Sequence, residues 1–136
     1  MRRKRWVSVD WKKAPDIKKR VLHLKTVLDL PWLRTSKIYC VRSNYSTSRA
    51  YARIWGLSKV WQLALEVEPA YIIEVLSEKF DNLDTEEKDR VLLHEISHIP
   101  RNFSGSLLPH IRRRGKRNFH DRVEELFSMY LKNRKG

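Results

Sequence analysis

The residues His94-Glu95-Ile96-Ser97-His98 match the H-E-x-x-H pattern, in which two imidazoles and one carboxylate share a helix. On such a helix His94 and His98 lie one turn apart on the same face, so that both can bind one zinc ion at about 2.0–2.1 Å. Glu95 lies beside them and can accept a proton from a metal-bound water, then donate it to a leaving amine. The pattern predicts a zinc-dependent hydrolase; packed histidines on an ordinary buried helix are the alternative.

The residues around the motif predict the helix that it requires. Asp84, followed by Thr85-Glu86-Glu87, is typical of a helix start, because Asp is a favoured N-cap and acids in the first turn suit the helix dipole. Pro100 stops or turns the helix shortly after the second histidine. We therefore expect a motif helix over residues 85–98, followed by a turn that can return the chain to the metal.

A catalytic zinc site usually takes three protein ligands and leaves a fourth position for water. His110 is the nearest downstream histidine, and the loop over residues 101–109 that precedes it contains Ser, Gly and Pro, which allow the chain to fold back. His110 is therefore the predicted third ligand. The alternatives that remain open are His120, Asp121, Glu124 and Glu125.

Residues 94–110 resemble the small zinc metallopeptidases of archaea and phages, which are H-E-x-x-H zincins related to the SprT-like proteases. The resemblance covers about residues 50–128. Its other matching segments are Trp61-Gln-Leu-Ala-Leu, Tyr71-Ile-Ile-Glu-Val75, Glu78-Lys-Phe-Asp81 and Arg122-Val-Glu-Glu-Leu-Phe127.

That resemblance implies a metal site and a substrate. It implies one Zn²⁺ ion per chain, bound by His94, His98 and His110, with Glu95 as the general acid and base. It also implies a protein or peptide substrate. The basic segment over residues 111–119 is longer than the family pattern, and it brings His120 into competition for the third ligand position.

The 136 residues are enough for one domain, and the predicted fold class is α+β. We expect one small zincin-like domain with a basic arm, an N-terminal helix, a three- to four-stranded mostly antiparallel sheet, the motif helix and a C-terminal helix. The expected bounds are 1–13, 14–30, 36–76, 85–98 and 119–132. Within the sheet, residues 59–67 and 70–76 are both expected to form strands. One of them is expected to be the edge strand that aligns an extended substrate beside the metal.

The charge of the chain is strongly positive and unevenly distributed. The net charge is +13, with ten Lys/Arg against two Asp in residues 1–25 and nine Lys/Arg against three acids in residues 111–136. Residues 66–95 hold ten of the sixteen acids. Two basic ends around an acidic middle predict attraction to DNA or another polyanion. The alternative is a strongly charged surface of the kind found in thermophile proteins.

The cellular setting can be predicted from cysteine content and hydropathy. Cys40, the single cysteine, cannot form an intramolecular disulfide, which favours a reducing compartment. There is no apolar run of about 18 residues and no signal-peptide h-region. We expect a cytoplasmic protein with no membrane partner, while the sequence does not indicate an oligomeric state.

Two function hypotheses follow. The first is a zinc metallopeptidase that, by analogy with SprT-like proteases, acts on nucleic-acid-associated proteins, with Tyr71, Arg101 or His120 as an extra donor to the oxyanion. The second is a basic nucleic-acid-binding domain with a structural or vestigial zinc site, closed by His120 or Glu124 as a fourth ligand.

Overall fold

The structure of the protein, a computed structural model, describes residues 8–110 and 119–134. The predicted arm residues 1–7, the basic link over 111–118 and the tail residues 135–136 lie outside these ranges. The elements in chain order are β1 (Asp10–Lys13), α1 (Pro15–Leu28), a 3-10 turn (Thr35–Lys37), β2 (Ile38–Asn44), β3 (Ala52–Gly56), α2 (Lys59–Leu65), β4 (Tyr71–Leu76), α3 (Ser77–Phe80), α4 (Thr85–Ile96) and α5 (Phe119–Asn133). This arrangement confirms the α+β class and is consistent with a small zincin-like fold.

The four strands form one mixed sheet in the order β1-β2-β4-β3. β1 pairs with β2 and β3 pairs with β4 in antiparallel fashion, whereas β2 and β4 run parallel. The parallel pair forces the chain to cross over between them, and β3 is placed on the far side of β4. β1 and β3 are therefore the edges of the described sheet.

One face of the sheet carries the core. Because strand side chains alternate between faces, Tyr71, Ile73 and Val75 all point to the same side, where each is at most 1 % exposed. α1 packs against β2 and α4 packs against β3 on this side. The first helix begins at Pro15, whose fixed φ suits an N1 position, and its buried residues are Ile17, Val21, Leu24 and Leu28.

The motif helix α4 is capped as predicted. The side chain of Asp84 accepts a hydrogen bond from the backbone amide of Glu87 at 2.8 Å. The helix ends at Ile96, two residues before the predicted end at 98, and a turn brings the chain to Pro100. His94 therefore lies in the last turn of the helix and His98 in the turn that follows.

The C-terminal helix α5 closes the core against α1 and α4. The hydroxyl of Tyr130 lies 3.1 Å from His23 Nε2 and accepts a hydrogen bond from Arg20 Nη2 at 3.2 Å. Arg20 also forms an ion pair with Asp89 of α4, whose carboxylate is fully buried. The two contacts of Tyr130 join residues that are 107 and 110 positions apart in the chain.

The strand prediction for residues 59–67 is wrong, because residues 59–65 form the helix α2. The Val-Trp-Gln-Leu-Ala-Leu run contains Leu, Ala and Gln, which favour helix, and the short apolar stretch does not by itself distinguish the two structures. The helix ends at Glu66, which adopts a left-handed conformation with φ 54°.

The strand at 70–76 is present as β4, but it lies between β2 and β3. It therefore has no free edge to offer a substrate, so the prediction of an edge strand at 59–67 or 70–76 is wrong. The edge nearest the motif helix is β3, against which α4 packs. Within residues 8–110 and 119–134, no helix is both long enough and apolar enough to cross a bilayer.

Candidate metal centre

The predicted ligand residues His94, His98 and His110 lie together. One ring nitrogen from each can be chosen so that all three lie within 4.8 Å of one another. The Nε2 atoms of His94 and His110 are 2.8 Å apart, and the ring centroids of His98 and His110 are 4.4 Å apart. Three imidazoles from a helix end and a distant loop thus converge on one small volume.

The orientation of His98 is determined by the loop that leads to His110. His98 Nδ1 lies 2.5 Å from the carbonyl oxygen of Leu108, and the Leu108 amide donates to the His98 carbonyl at 2.7 Å. A proton on Nδ1, donated to that carbonyl, leaves the lone pair on Nε2. Backbone or carboxylate partners of this kind select the tautomer and the ring direction of metal-binding histidines.

Two glycines allow this loop to pack closely against the end of β3. A side chain on Gly56, the last residue of β3, would begin 2.2 Å from the carbonyl oxygen of Gly105. Gly105 has φ +96°, and a Cβ there would lie 2.3 Å from the Leu57 carbonyl oxygen. Only glycine at both positions lets the loop approach so closely.

Two side chains hold the same loop in place. The Tyr71 hydroxyl accepts from the Gly105 amide and donates to the Ser106 carbonyl, both at 2.8 Å. Gln62 of α2 donates to the carbonyl oxygens of Leu57 and Ser104. Tyr71, expected as a possible oxyanion donor, therefore uses its hydroxyl to fix the path of the loop toward His110.

Phe119, at the start of α5, covers the histidines. Its ring stacks on His98 with centroids 4.3 Å apart and an interplanar angle of 23°. It also meets His94 and His110 edge to face, at 4.9 and 4.8 Å. An apolar ring in this position excludes water from one side of the cluster and lowers the local dielectric.

Burial shifts the titration of the motif residues. Burial, together with the neighbouring His98, His110 and His120, lowers the pKa of His94 to about 4. Burial also lowers the pKa of His98, although the Leu108 carbonyl opposes this. Both rings are therefore neutral at pH 7, as metal ligands must be.

Glu95 is 7 % exposed, and burial raises its pKa to about 8. A carboxyl group with a pKa in this range can both take and release a proton near neutral pH. It follows His94 directly and lies in the last turn of the same helix.

The competing ligand candidates do not join the three histidines in the described part of the chain. Glu124 forms an ion pair with Arg90 on α4. His120 is exposed, and its effect on His94 is electrostatic. In residues 8–110 and 119–134, the group able to hold a metal comprises the three histidines, and does not include His120, Asp121, Glu124 or Glu125.

The donor set fits a divalent transition metal. Imidazole nitrogens suit zinc, and a set of three leaves a coordination position for water or substrate. A groove of about 1080 Å³ lies on the α5 side, and it is lined in part by Leu108 and Phe119, which both contact the cluster. Arg101, another expected oxyanion donor, lies on the wall of this groove.

Three contributors to the centre were not identified from the sequence. The cover provided by Phe119 and the carbonyl of Leu108 depend on tertiary packing and leave no local signal. Gly105 does leave one, since a glycine flanked by serines between a motif and a candidate ligand indicates a backbone with special φ or a close approach.

A family model described as "Putative phage metallopeptidase" matches residues 9–130, which include every strand and the greater part of the last helix. No curated protein and no solved structure matches the chain.

Proposed function

The chain belongs to the phage metallopeptidase family, and from this premise we propose that it is a zinc-dependent peptidase in which His94, His98 and His110 hold one ion. The observation that carries the proposal is the convergence of three histidine rings on one small volume, with the buried Glu95 next to His94 in the chain. When bound, zinc supplies Lewis-acid chemistry, lowering the pKa of water to roughly 7 and polarising a peptide carbonyl.

Glu95 is the proposed general acid and base. Its burial supports this role, because a pKa near 8 means that a proton taken from water is held firmly and remains available for the leaving amine. Glu95 is itself 7 % exposed, which limits exchange of that proton with bulk water.

The proposed substrate path follows the edge of β3 that no other strand of the described sheet covers, up to Gly56, where the loop containing Gly105 packs. α4 packs against β3, so that an extended peptide paired with this edge would pass beside the motif helix. Backbone pairing of this kind aligns a peptide without demanding particular side chains. By analogy with SprT-like proteases, the proposed substrates are proteins associated with nucleic acid.

The second candidate is a nucleic-acid-binding domain with a structural zinc site. Such a site normally has four protein ligands. Among the described residues the cluster has three, and Glu124 is paired with Arg90 instead. This arrangement favours the catalytic proposal.

The test combines metal content with cleavage of an unfolded protein by the full chain. We expect about one zinc per wild-type chain, loss of zinc in His110→Ala and retention in His120→Ala. Glu95→Gln should keep its zinc and lose cleavage by at least about 100-fold. Full cleavage by Glu95→Gln, or zinc that survives His110→Ala and is lost in His120→Ala, would contradict the proposed assignment.

A further inference from the structure

The sheet face opposite the helices carries a row of exposed large side chains. Tyr39 of β2, Ile72 of β4 and Trp55 of β3 are register partners, and so their side chains lie side by side across three strands. They are 52, 39 and 47 % exposed. Two strand spacings separate Tyr39 from Trp55, which is roughly 10 Å and enough for each ring to contact a separate base.

A buried carboxylate in the next row fixes this surface. Glu74 is fully buried, and its Oε1 accepts from Trp55 Nε1 at 2.9 Å and from Arg53 Nε at 2.6 Å. Ser43 Oγ donates to the other oxygen at 2.6 Å. The Arg53 guanidinium lies 5.2 Å from the Trp55 ring centroid. The exposed indole and guanidinium are thus held in place before any ligand arrives, which lowers the entropic cost of binding.

Cationic side chains lie beside these exposed rings. Arg53 neutralises Glu74, and the register places Lys13 of β1 on the same face, as partner of Val41. Trp11, 50 % exposed, lies on this face of β1 as well. The run Arg2-Arg3-Lys4-Arg5 comes shortly before β1 in the sequence. Aromatic faces with nearby cations are the combination that binds single strands, because the rings stack on bases while cations contact phosphates.

We propose that this face is a binding platform for single-stranded nucleic acid, with bases stacked on Tyr39 and Trp55 and phosphates contacted by Arg53 and Lys13. The platform is distinct from the histidine cluster and needs no metal. The row of Tyr39, Ile72 and Trp55 ends on β3. The edge of β3 that faces away from β4 is the proposed substrate path. A bound nucleic acid would therefore hold its associated proteins close to that edge of β3.

Binding can be measured with the full chain by fluorescence anisotropy of a labelled oligothymidylate of about 12 nucleotides. We expect Tyr39→Ala and Trp55→Ala each to weaken binding about tenfold, because each removes one stacked base. Trp55→Phe, which keeps a ring but loses the hydrogen bond to Glu74, should bind more tightly than Trp55→Ala. The matched controls are Tyr45→Ala and Trp61→Ala, which remove exposed rings, each 59 % exposed, that lie outside the row.

An oligouridylate and a duplex of the same length complete the test. Binding of either single strand that depends on Tyr39 and Trp55 supports the platform. The oligonucleotide that binds more tightly indicates whether the ligand is DNA or RNA. If Tyr39→Ala and Trp55→Ala bind like wild type, or the duplex binds as tightly as the single strands, the attraction is general electrostatics and the proposal is wrong.

Two further results would overturn the platform. One is the absence of single-strand binding at physiological salt. The other is a stable dimer in solution that Tyr39→Ala dissociates, since a second copy would then cover this face. Because the assay needs neither zinc nor cleavage, its failure leaves the peptidase proposal unaffected.

Discussion

His98 and Leu108 hold each other by two contacts: the Leu108 amide donates to the His98 carbonyl, and the Leu108 carbonyl faces His98 Nδ1. The same residue that directs one imidazole also begins the final approach of the chain to His110. The ring orientation of the second histidine and the position of the third are therefore coupled. Disturbing the loop over residues 103–108 should weaken metal binding even when every histidine is intact.

Gly105→Ala tests this coupling. The new Cβ would lie 2.3 Å from a backbone carbonyl, at a residue whose φ is +96°, so the loop must shift. We expect zinc affinity to fall by about 10- to 100-fold and the free energy of unfolding to fall by about 1–3 kcal/mol. Competition with a chromogenic chelator measures the first and urea unfolding the second. Ser106→Ala, in the same loop, is the control and should match wild type.

Phe119→Ala should open the centre without removing a ligand. The ring stacks on His98 and meets the other two histidines, so its loss admits water to the cluster. We expect a chelator to remove zinc roughly tenfold faster. Met129→Ala, an exposed change on the same helix, serves as the control. Unchanged release from Phe119→Ala would show that the ring does not protect the site.

Among substitutions that remove a charged side chain at least partly exposed to solvent, we expect Arg20→Met to lower the free energy of unfolding most. It leaves the Asp89 carboxylate, fully buried on α4, without its cation. Removal of one partner from such a pair costs about 3 kcal/mol. Chemical denaturation should show this loss, whereas Lys19→Met on the exposed side of α1 should change stability by less than about 0.5 kcal/mol.

Glu74 should make stability depend on pH in the acid range. Burial alone would raise its pKa, but hydrogen bonds from Arg53, Ser43 and Trp55 outweigh burial and lower the pKa below the ordinary 4.5. The stabilisation is therefore complete above about pH 4.5 and is lost as the pH falls through the lower folded pKa. We expect Glu74→Gln to be about 2 kcal/mol less stable than wild type at pH 7.

The difference between the two proteins should shrink as the pH falls below about 4.5, because protonation of Glu74 removes the same charge. Denaturant titrations of both proteins from pH 7 to pH 3 measure it. A difference that stays constant over that range would mean that Glu74 is not the group responsible.

Local signals account for the parts of the structure that were predicted correctly. The cap at Asp84, the spacing of His94 and His98 and the break at Pro100 all act within a few residues, so the motif helix could be placed within two residues. The sequence of α2 predicts a strand incorrectly, because a seven-residue apolar segment has no decisive period and none of its side chains is buried to mark one face.

The non-local features could not be predicted in the same way. The buried group formed by Glu74, Arg53 and Trp55 exists because β3 and β4 pair in one particular register. In the sequence, Glu74 reads only as an acid within an apolar strand. Phe119 likewise reads as the first apolar residue of a helix, and only the packing of α5 brings it over the histidines.

The contact of Tyr130 with Arg20 and His23 also has a consequence for biosynthesis. Contacts between residues more than a hundred positions apart form slowly. The entropy of closing a long loop is lost before the contact contributes any favourable free energy. On a ribosome, α1 and the motif helix emerge well before α5. The nascent chain would then carry its three histidines without the Phe119 ring that covers them. The histidine cluster would be covered only once α5 packs against the core.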